Sequence, residues 1–494
     1  MKLSQLTERL ENRVVSGAGD PEITDLVFDS RKICEGCIFV CIAGANFDGH
    51  DAASEAAQKG AAAIVVEKEV DITQAASDGS STGPVVLMTD STRRALAVLS
   101  AAWFGHPAET LKVIGVTGTK GKTTTTYMVK SILENAGMKV GLIGTIEAII
   151  GDEVIPAANT TPESYVIQDY FSRMLKKGIE VVVMEVSSQG LMMHRTDGFE
   201  FELGIFTNIE PDHIGPGEHS SFEEYMECKG LLFKQCRHGI ANIDDRHTPD
   251  VTAGHTCDLV TYGFSEGADY RASDVNYVKG PGYLGVEYDV TGKTAFHVEV
   301  DLPGEFTVYN SLTAIAVCDH FGVGEEAMKK ALKVAHAKGR IEPVKISDDF
   351  TLMIDYAHNA MSLKSLLESL RKYDPGRLVV LFGCGGNRSK LRRYEMGEVA
   401  GNMADFTIIT SDNPRFEEPM DIIADIEVGM AKTDGEFVEV PDRKEAIRYA
   451  IENARKGDVI VLAGKGHEDY QEIKGVKHHM DERELIAEVV DELS

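Results

Sequence analysis

Short apolar runs, each ending in a polar or glycine-bearing stretch, recur along this chain and alternate with segments of helical period. In residues 1–108 the runs at 38–42 (IFVCI), 61–66 (AAAIVV) and 85–88 (VVLM) read as strands. Helices are predicted over 51–60, closing at Gly60, and over 92–104, while the polar, Gly/Ser-rich stretch 71–83 reads as a surface loop. Gly105-His106-Pro107 marks a boundary. Beyond it, Val181 to Met184 forms a buried strand that delivers Glu185, and Gly204 to Thr207 does the same for Asn208 and, further on, Asp212 and His213. The segment 262–300 changes to period two, with Val286, Tyr288 and Val290 in alternation, which predicts an antiparallel extension. From 339 the first rhythm restarts. Runs at 352–354, 378–382, 406–410 and 459–463 lead into Asp355-Tyr356-Ala357-His358, Gly383-Cys384-Gly385-Gly386, Ser411 to Arg415 and Gly464 to Glu468. Ligands of open parallel sheets gather beyond the carboxyl ends of the strands, so these loops are where chemistry is expected.

One stretch carries a sharper signal. Residues 112–137, KVIGVTGTKGKTTTTYMVKSILENAG, read as a strand (Val113, Ile114, Val116), a glycine loop and a helix closing at Gly137. Free N–H groups at a helix N-terminus bind phosphate. Lys122 adds a point charge for the β/γ-phosphates, and Thr123 a hydroxyl for magnesium. Against the strict pattern G-x-x-x-x-G-K-[ST] the first glycine is replaced by Val116. The bland alternative is a chance turn before a core helix; the flanking strand and helix favour a P-loop. The fold class is therefore α/β in three domains. A small N-terminal α/β domain spans 1–108, a central P-loop ATPase domain with a parallel sheet 109–338, and a Rossmann-like doubly wound domain 339–494.

Composition narrows the field. At 494 residues the chain exceeds one ordinary core, and 26% charged with 43% hydrophobic residues suits a globular protein. Residues 1–15 lack the apolar core of a signal peptide, and no apolar run is long enough to span a bilayer, so a cytoplasmic, non-membrane protein is expected. A net charge of −29 argues against non-specific nucleic-acid binding but not against small anions. The eight cysteines are scattered, with Cys34-x-x-Cys37 the one metal-like pair, and reduced, mostly buried thiols are expected.

Several groups are ambiguous alone. Glu185 suits a magnesium ligand beside a P-loop, or is a plain strand-end acid. His213 reads as a core histidine, Lys229 as a solvated helix lysine and Thr160-Thr161-Pro162 as a turn. Arg388, Lys390, Arg392 and Arg393 form a basic cluster suited to carboxylate or phosphate capture, or merely a solvated face. Asp412-Asn413-Pro414-Arg415 sets an acid, an amide and a guanidinium in one rigid turn that suits a zwitterionic amino acid.

Taken together, Gly118-Thr119-Lys120-Gly121-Lys122-Thr123-Thr124, Asp29-Ser30-Arg31, Asn159-Thr160-Thr161-Pro162, Glu185-Val186-Ser187-Ser188, Asp212-His213, Lys229, Asn310, Gly339-Arg340-Ile341-Glu342 and Asp355-Tyr356-Ala357-His358 resemble the Mur ligases over nearly the whole chain. These are ATP-dependent amino-acid ligases of peptidoglycan synthesis. The Asp412 to Arg415 turn with Gly464-Lys465-Gly466-His467-Glu468 is similar to members that add a diamino acid to UDP-N-acetylmuramoyl-L-alanyl-D-glutamate, and its arginine to those using meso-diaminopimelate.

The resemblance implies ATP and Mg2+ as cofactors, with Lys122, Glu185, His213 and Lys229 as catalytic residues. ATP would be held by Gly118, Thr119, Lys120, Gly121, Lys122, Thr123, Thr124, Asn310, Arg340 and Asp355. Phe28, Ser30, Asn159, Thr160, Thr161, Ser187 and Arg195 would hold the UDP-muramoyl-dipeptide. Arg388, Asp412, Asn413, Pro414, Arg415, Gly464 and Glu468 would hold the incoming amino acid. Thr123, Glu185, His213 and Lys229, the last as a carbamate, would ligate magnesium. A monomer whose domains close on three ligands is expected. Gln189 where many relatives carry histidine, the enlarged loop 210–220, the drift of 387–394 and the side chains of 45–47 depart from the family pattern. L-Lysine as the added amino acid is the nearest rival. Folate polyglutamylation and alanyl-alanine addition are disfavoured by the Asp412 to Arg415 turn, and a silent nucleotide-binding relative by the intact Lys122, Glu185, His213 and Lys229 set.

Overall fold

A computed structural model describes residues 1–44, 46–72, 83–215 and 217–493. Most of the loop expected at 71–83, together with Ala45 and Pro216 of the two divergent loops, lies outside the described residues. Backbone contacts divide the chain into two compact units, residues 1–122 with 137–261 and residues 123–136 with 262–494.

The first unit holds two sheets. In the N-terminal one, strands Leu26–Val27, Ile38–Val40, Ala63–Val66 and Val85–Met88 run parallel, and Arg13–Ser16 closes the edge antiparallel to Val85–Met88. The helix expected over 51–60 is shorter, Ala53–Gln58, because the Asp48 side chain accepts from the N–H of His50 and starts a 3-10 turn, Gly49–Ala52, ahead of it. The second sheet places the strand Lys112–Thr117 between Val181–Glu185 and Phe201–Phe206, all parallel. Cys236–Asn242 extends one side and Val140–Ile143 the other, followed by the antiparallel Glu147–Ile150 and Glu153–Pro156. Val181 to Glu185 are buried throughout, as an apolar run between two helical layers requires. Thr207, expected as the last residue of its strand, lies just past Phe206.

In the second unit, the helix continuing from the glycine loop, Lys122–Asn135, is fixed through Thr125, whose hydroxyl donates to Asn310 Oδ1 at 3.3 Å, and Asn135, which donates to the Ala327 carbonyl at 3.0 Å. The segment expected to be antiparallel forms Tyr270–Gly280, Tyr283–Gly292 and Phe296–Val300, paired as foreseen. Only Tyr262 and Gly263, paired in parallel with Tyr270 and Arg271, break the pattern. The C-terminal sheet runs Glu342–Pro343, Thr351–Asp355, Val459–Ala463, Leu378–Phe382, Phe406–Ile409 and Phe437–Glu439, parallel except for the first. Alternate residues of these strands feed two cores. Met353, Val380, Ile409 and Val461 pack with Leu363, Met396 and Ile426, while Leu352, Leu381, Ile408 and Leu462 pack with Ile447, Ile486 and Val489. Helices thus cover both faces, the doubly wound arrangement expected. No helix of the described residues is long and apolar enough to cross a membrane.

Candidate functional site

The glycine loop is held by residues of the neighbouring strand end as well as by its own lysine. Gly118 has φ +149°, and a Cβ there would run into Thr207 Oγ1 and the Asn208 backbone. Thr207 Oγ1 donates to the Lys120 carbonyl at 2.7 Å, and Asn208 closes the loop from both sides: its Oδ1 accepts from the Lys120 N–H (2.9 Å) and its carbonyl from the Thr119 N–H (2.9 Å). Strand Phe201–Phe206 therefore shapes the loop that the adjacent strand carries. Lys122 Nζ folds back onto the Gly118 and Thr119 carbonyls at 2.8 and 3.1 Å, a position from which it can turn to a phosphate.

Lys229, on helix Phe222–Gly230, is 1% exposed. Its Nζ donates to the Gly118 carbonyl at 3.0 Å and lies 4.3 Å from the centroid of the Tyr225 ring, whose hydroxyl meets Thr119 Oγ1 at 3.0 Å. No carboxylate among the described residues pairs with it. Burial, and then the charge of Lys122, drive its pKa well below the usual lysine value, so the amine loses its proton readily.

Glu185 ends its strand buried, and Thr145 holds both its oxygens, by N–H at 2.9 Å and by hydroxyl at 2.9 Å. From there a network runs through the residues predicted for the muramoyl ligand. Thr145 Oγ1 meets Thr160 Oγ1 at 3.0 Å; Thr161 Oγ1 donates to the Glu185 carbonyl (3.0 Å) and accepts from the Ser187 N–H (2.9 Å); and Arg195 donates to the Thr161 carbonyl (2.8 Å). Asn159 lines a cavity of about 170 Å³. Phe28 and Ser30 stand apart from this network, in a cleft of about 480 Å³ with Arg31, Phe39 and Phe47.

His213 is the outlier. Its side chain is half exposed at φ +54°, with Nδ1 3.2 Å from Glu218 Oε1, and nothing places it against Glu185 or Lys122. The histidine of this loop that is buried is His219, 0% exposed, with Nε2 2.8 Å from Ser188 Oγ and Nδ1 3.9 Å from Glu224 Oε2, without a hydrogen-bond partner among the described residues. Burial lowers its pKa, so it is neutral. His219, Tyr225 and Thr145 sit in no recognisable spacing, so the sequence alone does not mark them.

In the second unit, Asp355 accepts from the N–H groups of Ile341 (2.9 Å) and Ala357 (2.8 Å), which fixes the loop carrying Arg340. The Arg340 guanidinium lies 4.8 Å from the Tyr356 ring centroid, and the His467 ring packs on the same tyrosine at 4.8 Å. Arg340 Nε and His467 Nδ1 are buried with no hydrogen-bond partner among the described residues, N–H and ring-nitrogen capacity that suits a heteroaromatic or sugar ligand. Burial, with the Arg340 charge second, pushes the His467 pKa down to about 4.

The structure gathers most of the predicted amino-acid set. Asp412 and Asn413 are buried at the end of strand Phe406–Ile409, and Asn413 Nδ2 donates to Glu468 Oε2 at 2.9 Å. Arg415, in the left-handed region at φ +52°, sends Nε to Glu472 (3.1 Å) and Nη1 to the Gly386 carbonyl (2.9 Å), leaving Nη2 with no partner among the described residues. Glu468 likewise uses only Oε2. A non-glycine residue held at positive φ is costly, and here it aims a guanidinium. Gly464, at φ +107°, allows the strand end to approach Asp412 Oδ2. Arg388 is exposed and does not join the turn, whereas Arg393 of the same basic cluster is fully buried on Glu417 and Asp425 and is structural.

Comparison with known proteins agrees with this layout. Family descriptions match in three segments: "Mur ligase family, catalytic domain" over 22–110, "Mur ligase middle domain" over 116–318, and "Mur ligase, glutamate ligase domain" over 339–466. The chain is 40% identical over its whole length, and 99% of the relative's, to the UDP-N-acetylmuramoyl-L-alanyl-D-glutamate--2,6-diaminopimelate ligase of Caldanaerobacter subterraneus subsp. tengcongensis. It is 42% identical, with full coverage of both chains, to ligase 1 of that name from Clostridium acetobutylicum. A solved structure of a ligase of the same name superposes with a TM-score of 0.72 at 28% identity, covering 97% of this chain and 99% of that one. The ADP complex of the MurF ligase of Thermotoga maritima shares the fold at 20% identity, with a TM-score of 0.57 over 95% and 98% of the two chains. With a glycine loop, a buried lysine and a strand-end glutamate in place, and relatives matched end to end, this chain belongs to the Mur ligase family.

Proposed function

We propose that this protein joins meso-diaminopimelate to the D-glutamate γ-carboxylate of UDP-N-acetylmuramoyl-L-alanyl-D-glutamate, at the expense of ATP, in the cytoplasmic synthesis of peptidoglycan precursors. The observation that carries the choice of amino acid is the turn at Asp412 to Arg415: Arg415 Nη2 and Glu468 Oε1 are both left over by the protein's own hydrogen bonds. One cationic donor and one carboxylate oxygen fit the carboxylate and ammonium of one amino-acid centre. Relatives about 40% identical over the full chain bear the diaminopimelate name.

The division at 1–108, 109–338 and 339–494 follows the three family segments and assigns the muramoyl ligand, ATP and the amino acid to successive domains. Phe28, Ser30, Asn159, Thr160, Thr161, Ser187 and Arg195 hold the UDP-muramoyl-dipeptide; Asn310, Arg340 and Asp355 serve the adenine and ribose. Arg388, whose stem flanks Gly385 as the Arg415 guanidinium does, adds a second, exposed cation for the amino acid, while Asp412, Pro414 and Gly464 shape the turn.

In the reaction the γ-phosphoryl of ATP passes to the D-glutamate carboxylate. The amine of the diamino acid then attacks the acyl phosphate, and inorganic phosphate leaves from the tetrahedral intermediate. Loop N–H groups from Gly118 to Thr124 and the Lys122 ammonium stabilise the charge on the transferring group. Lys229 has the burial and the lowered pKa, and pairs with no carboxylate among the described residues, as suits an amine that can add CO2, losing a proton to give a carbamate anion. Glu185, with both oxygens aligned by Thr145, is an oxygen donor of the kind magnesium takes. Thr123, Glu185, His213 and that carbamate are the residues that would hold magnesium, which when bound would supply positive charge to offset the phosphate oxygens. His213 must swing from Glu218 to take part. Exclusion of water protects the acyl phosphate from hydrolysis.

The test is phosphate release and product formation with UDP-muramoyl-dipeptide and ATP, supplying meso-diaminopimelate or L-lysine separately. Turnover with meso-diaminopimelate, abolished in Lys122→Ala, is expected. Faster turnover with lysine would reverse the choice of amino acid, and turnover with neither would reject the ligase assignment.

A further inference from the structure

Lys465 follows strand Val459–Ala463 by two residues and its side chain is 0% exposed. A lysine is almost never buried so completely without partners, and this one has three. Its Nζ donates to Glu468 Oε2 at 2.8 Å, to Asn413 Oδ1 at 3.1 Å and to the Tyr470 carbonyl, which uses all three of its N–H groups. Asn413 Oδ1 also accepts from the Glu472 N–H at 2.8 Å, so two donors fix which end of the amide is oxygen. The other end, Nδ2, is thereby turned onto Glu468 Oε2. Glu468 thus receives two donors on one oxygen and none on the other.

We propose that Lys465 is a specificity-positioning residue. It occupies Glu468 Oε2 and locks the Asn413 amide, so that Glu468 is presented to the amino-acid substrate as an ionised carboxylate with Oε1 alone free to take an ammonium. The inference rests on the amino-acid site assigned above and assigns its organiser. Burial raises the Glu468 pKa, but the charge and hydrogen bond of Lys465 and the Asn413 amide outweigh it and leave the carboxyl below its ordinary range. Without Lys465 the Glu472 N–H still orients the Asn413 amide, but Glu468 Oε2 keeps only the neutral Asn413 donor, so the carboxylate is held more weakly and the choice between its oxygens is relaxed.

The test is the steady-state kinetics of K465M, E468Q and K465M/E468Q in the full chain, with all three substrates varied. K465M is expected to raise KM for meso-diaminopimelate roughly tenfold or more, with KM for ATP and for UDP-muramoyl-dipeptide held within about twofold. Because Lys465 acts through Glu468, adding K465M to E468Q changes KM for the amino acid by less than about twofold. Where K465M alone fails to fold, the double variant, which buries no unpaired charge, carries the comparison against E468Q. An unchanged KM for the amino acid in K465M, a parallel rise for all three substrates, or a full further loss on top of E468Q would overturn the inference while leaving the ligase reading intact. A parent enzyme silent with both amino acids would overturn the ligase reading, and this inference with it.

Discussion

Replacing Arg443 by methionine tests whether the amino-acid turn is held from behind. Arg443 opens helix Arg443–Glu452 and pairs with Glu482, the two side chains being 1% and 0% exposed. Its Nε and Nη2 donate to Glu482 Oε1 at 2.9 and 2.8 Å, while Nη1 reaches the Ser411 carbonyl (3.2 Å) and Nη2 the Ala463 carbonyl (3.1 Å). Those carbonyls belong to the residues just before Asp412 and Gly464, so one guanidinium ties together the two strand ends that carry the turn. Methionine fills much of the space but donates nothing. Each buried carbonyl that loses a charge-assisted donor costs about 1–3 kcal/mol. The stranded carboxyl of Glu482, whose pKa burial already raises against the pull of Arg443, takes up a proton rather than stay ionised. The sum is about 3–5 kcal/mol, the usual cost of breaking a buried pair.

For a folding unit of this size each kcal/mol lowers Tm by about 2–4 °C, so calorimetry of the full chain should show a transition lowered by roughly 10 °C. Arg443→Met with Glu482→Leu should recover part of the loss, since no charge is then buried. A single variant melting within about 2 °C of the parent, or a double variant less stable than the single, would refute the reasoning.

Three further outcomes follow. Gly118→Ala sets a methyl against Thr207 Oγ1 at a φ that side chains avoid; strain of about 1–3 kcal/mol and a displaced loop should remove most phosphate release, and turnover within twofold of the parent would dismiss the cradle. Lys229→Ala should lose activity and regain part of it with an added short carboxylic acid; full unaided activity would dismiss the carbamate. His467, with its pKa pushed down to about 4 from an ordinary 6.5, is neutral in the fold, so its stabilising contribution is complete above pH 6.5 and lost as pH falls toward 4. Tm should therefore drop more between pH 7 and pH 5 in the parent than in His467→Gln, and equal drops would rule out a desolvated histidine.

Where burial on both faces leaves an uninterrupted apolar run, the sequence is readable. The strands Val85–Met88, Leu378–Phe382 and Val459–Ala463 stand where their runs lie, and the loops after the last two carry the candidate residues Arg388, Gly464 and Glu468. Edge strands escape because solvent imposes no pattern: Arg13–Ser16 is exposed throughout, and Leu26–Val27 is too short to show one. The hairpin Tyr470–Ile473 and Val476–His479 did leave a trace, Lys474-Gly475 at φ +50° and +79°, a turn signal that goes unread beside the stronger Gly464 to Glu468 run. Lys465 and the Arg443–Glu482 pair left none. Charged residues are presumed to face water until partners distant in sequence close around them.

That asymmetry bears on how the enzyme selects its amino acid. In diaminopimelate the centre that does not react carries both an ammonium and a carboxylate, whereas the corresponding end of L-lysine, bonded through its α-amine, is a bare ammonium. Glu468 alone serves either. In the proposed site Arg415 would separate them: its Nε and Nη1 are satisfied by Glu472 and Gly386, and Nη2, with no partner among the described residues, would take the carboxylate that lysine's far end lacks. A site built to hydrogen-bond a group discriminates against the analogue without it, because closing on that analogue leaves the site's own polar atom unpaired. On this proposal the selectivity of the turn would come from what the protein leaves unfilled: Lys465 holds Glu468 Oε2 and Glu472 holds Arg415 Nε, so Glu468 Oε1 and Arg415 Nη2 would remain for the substrate.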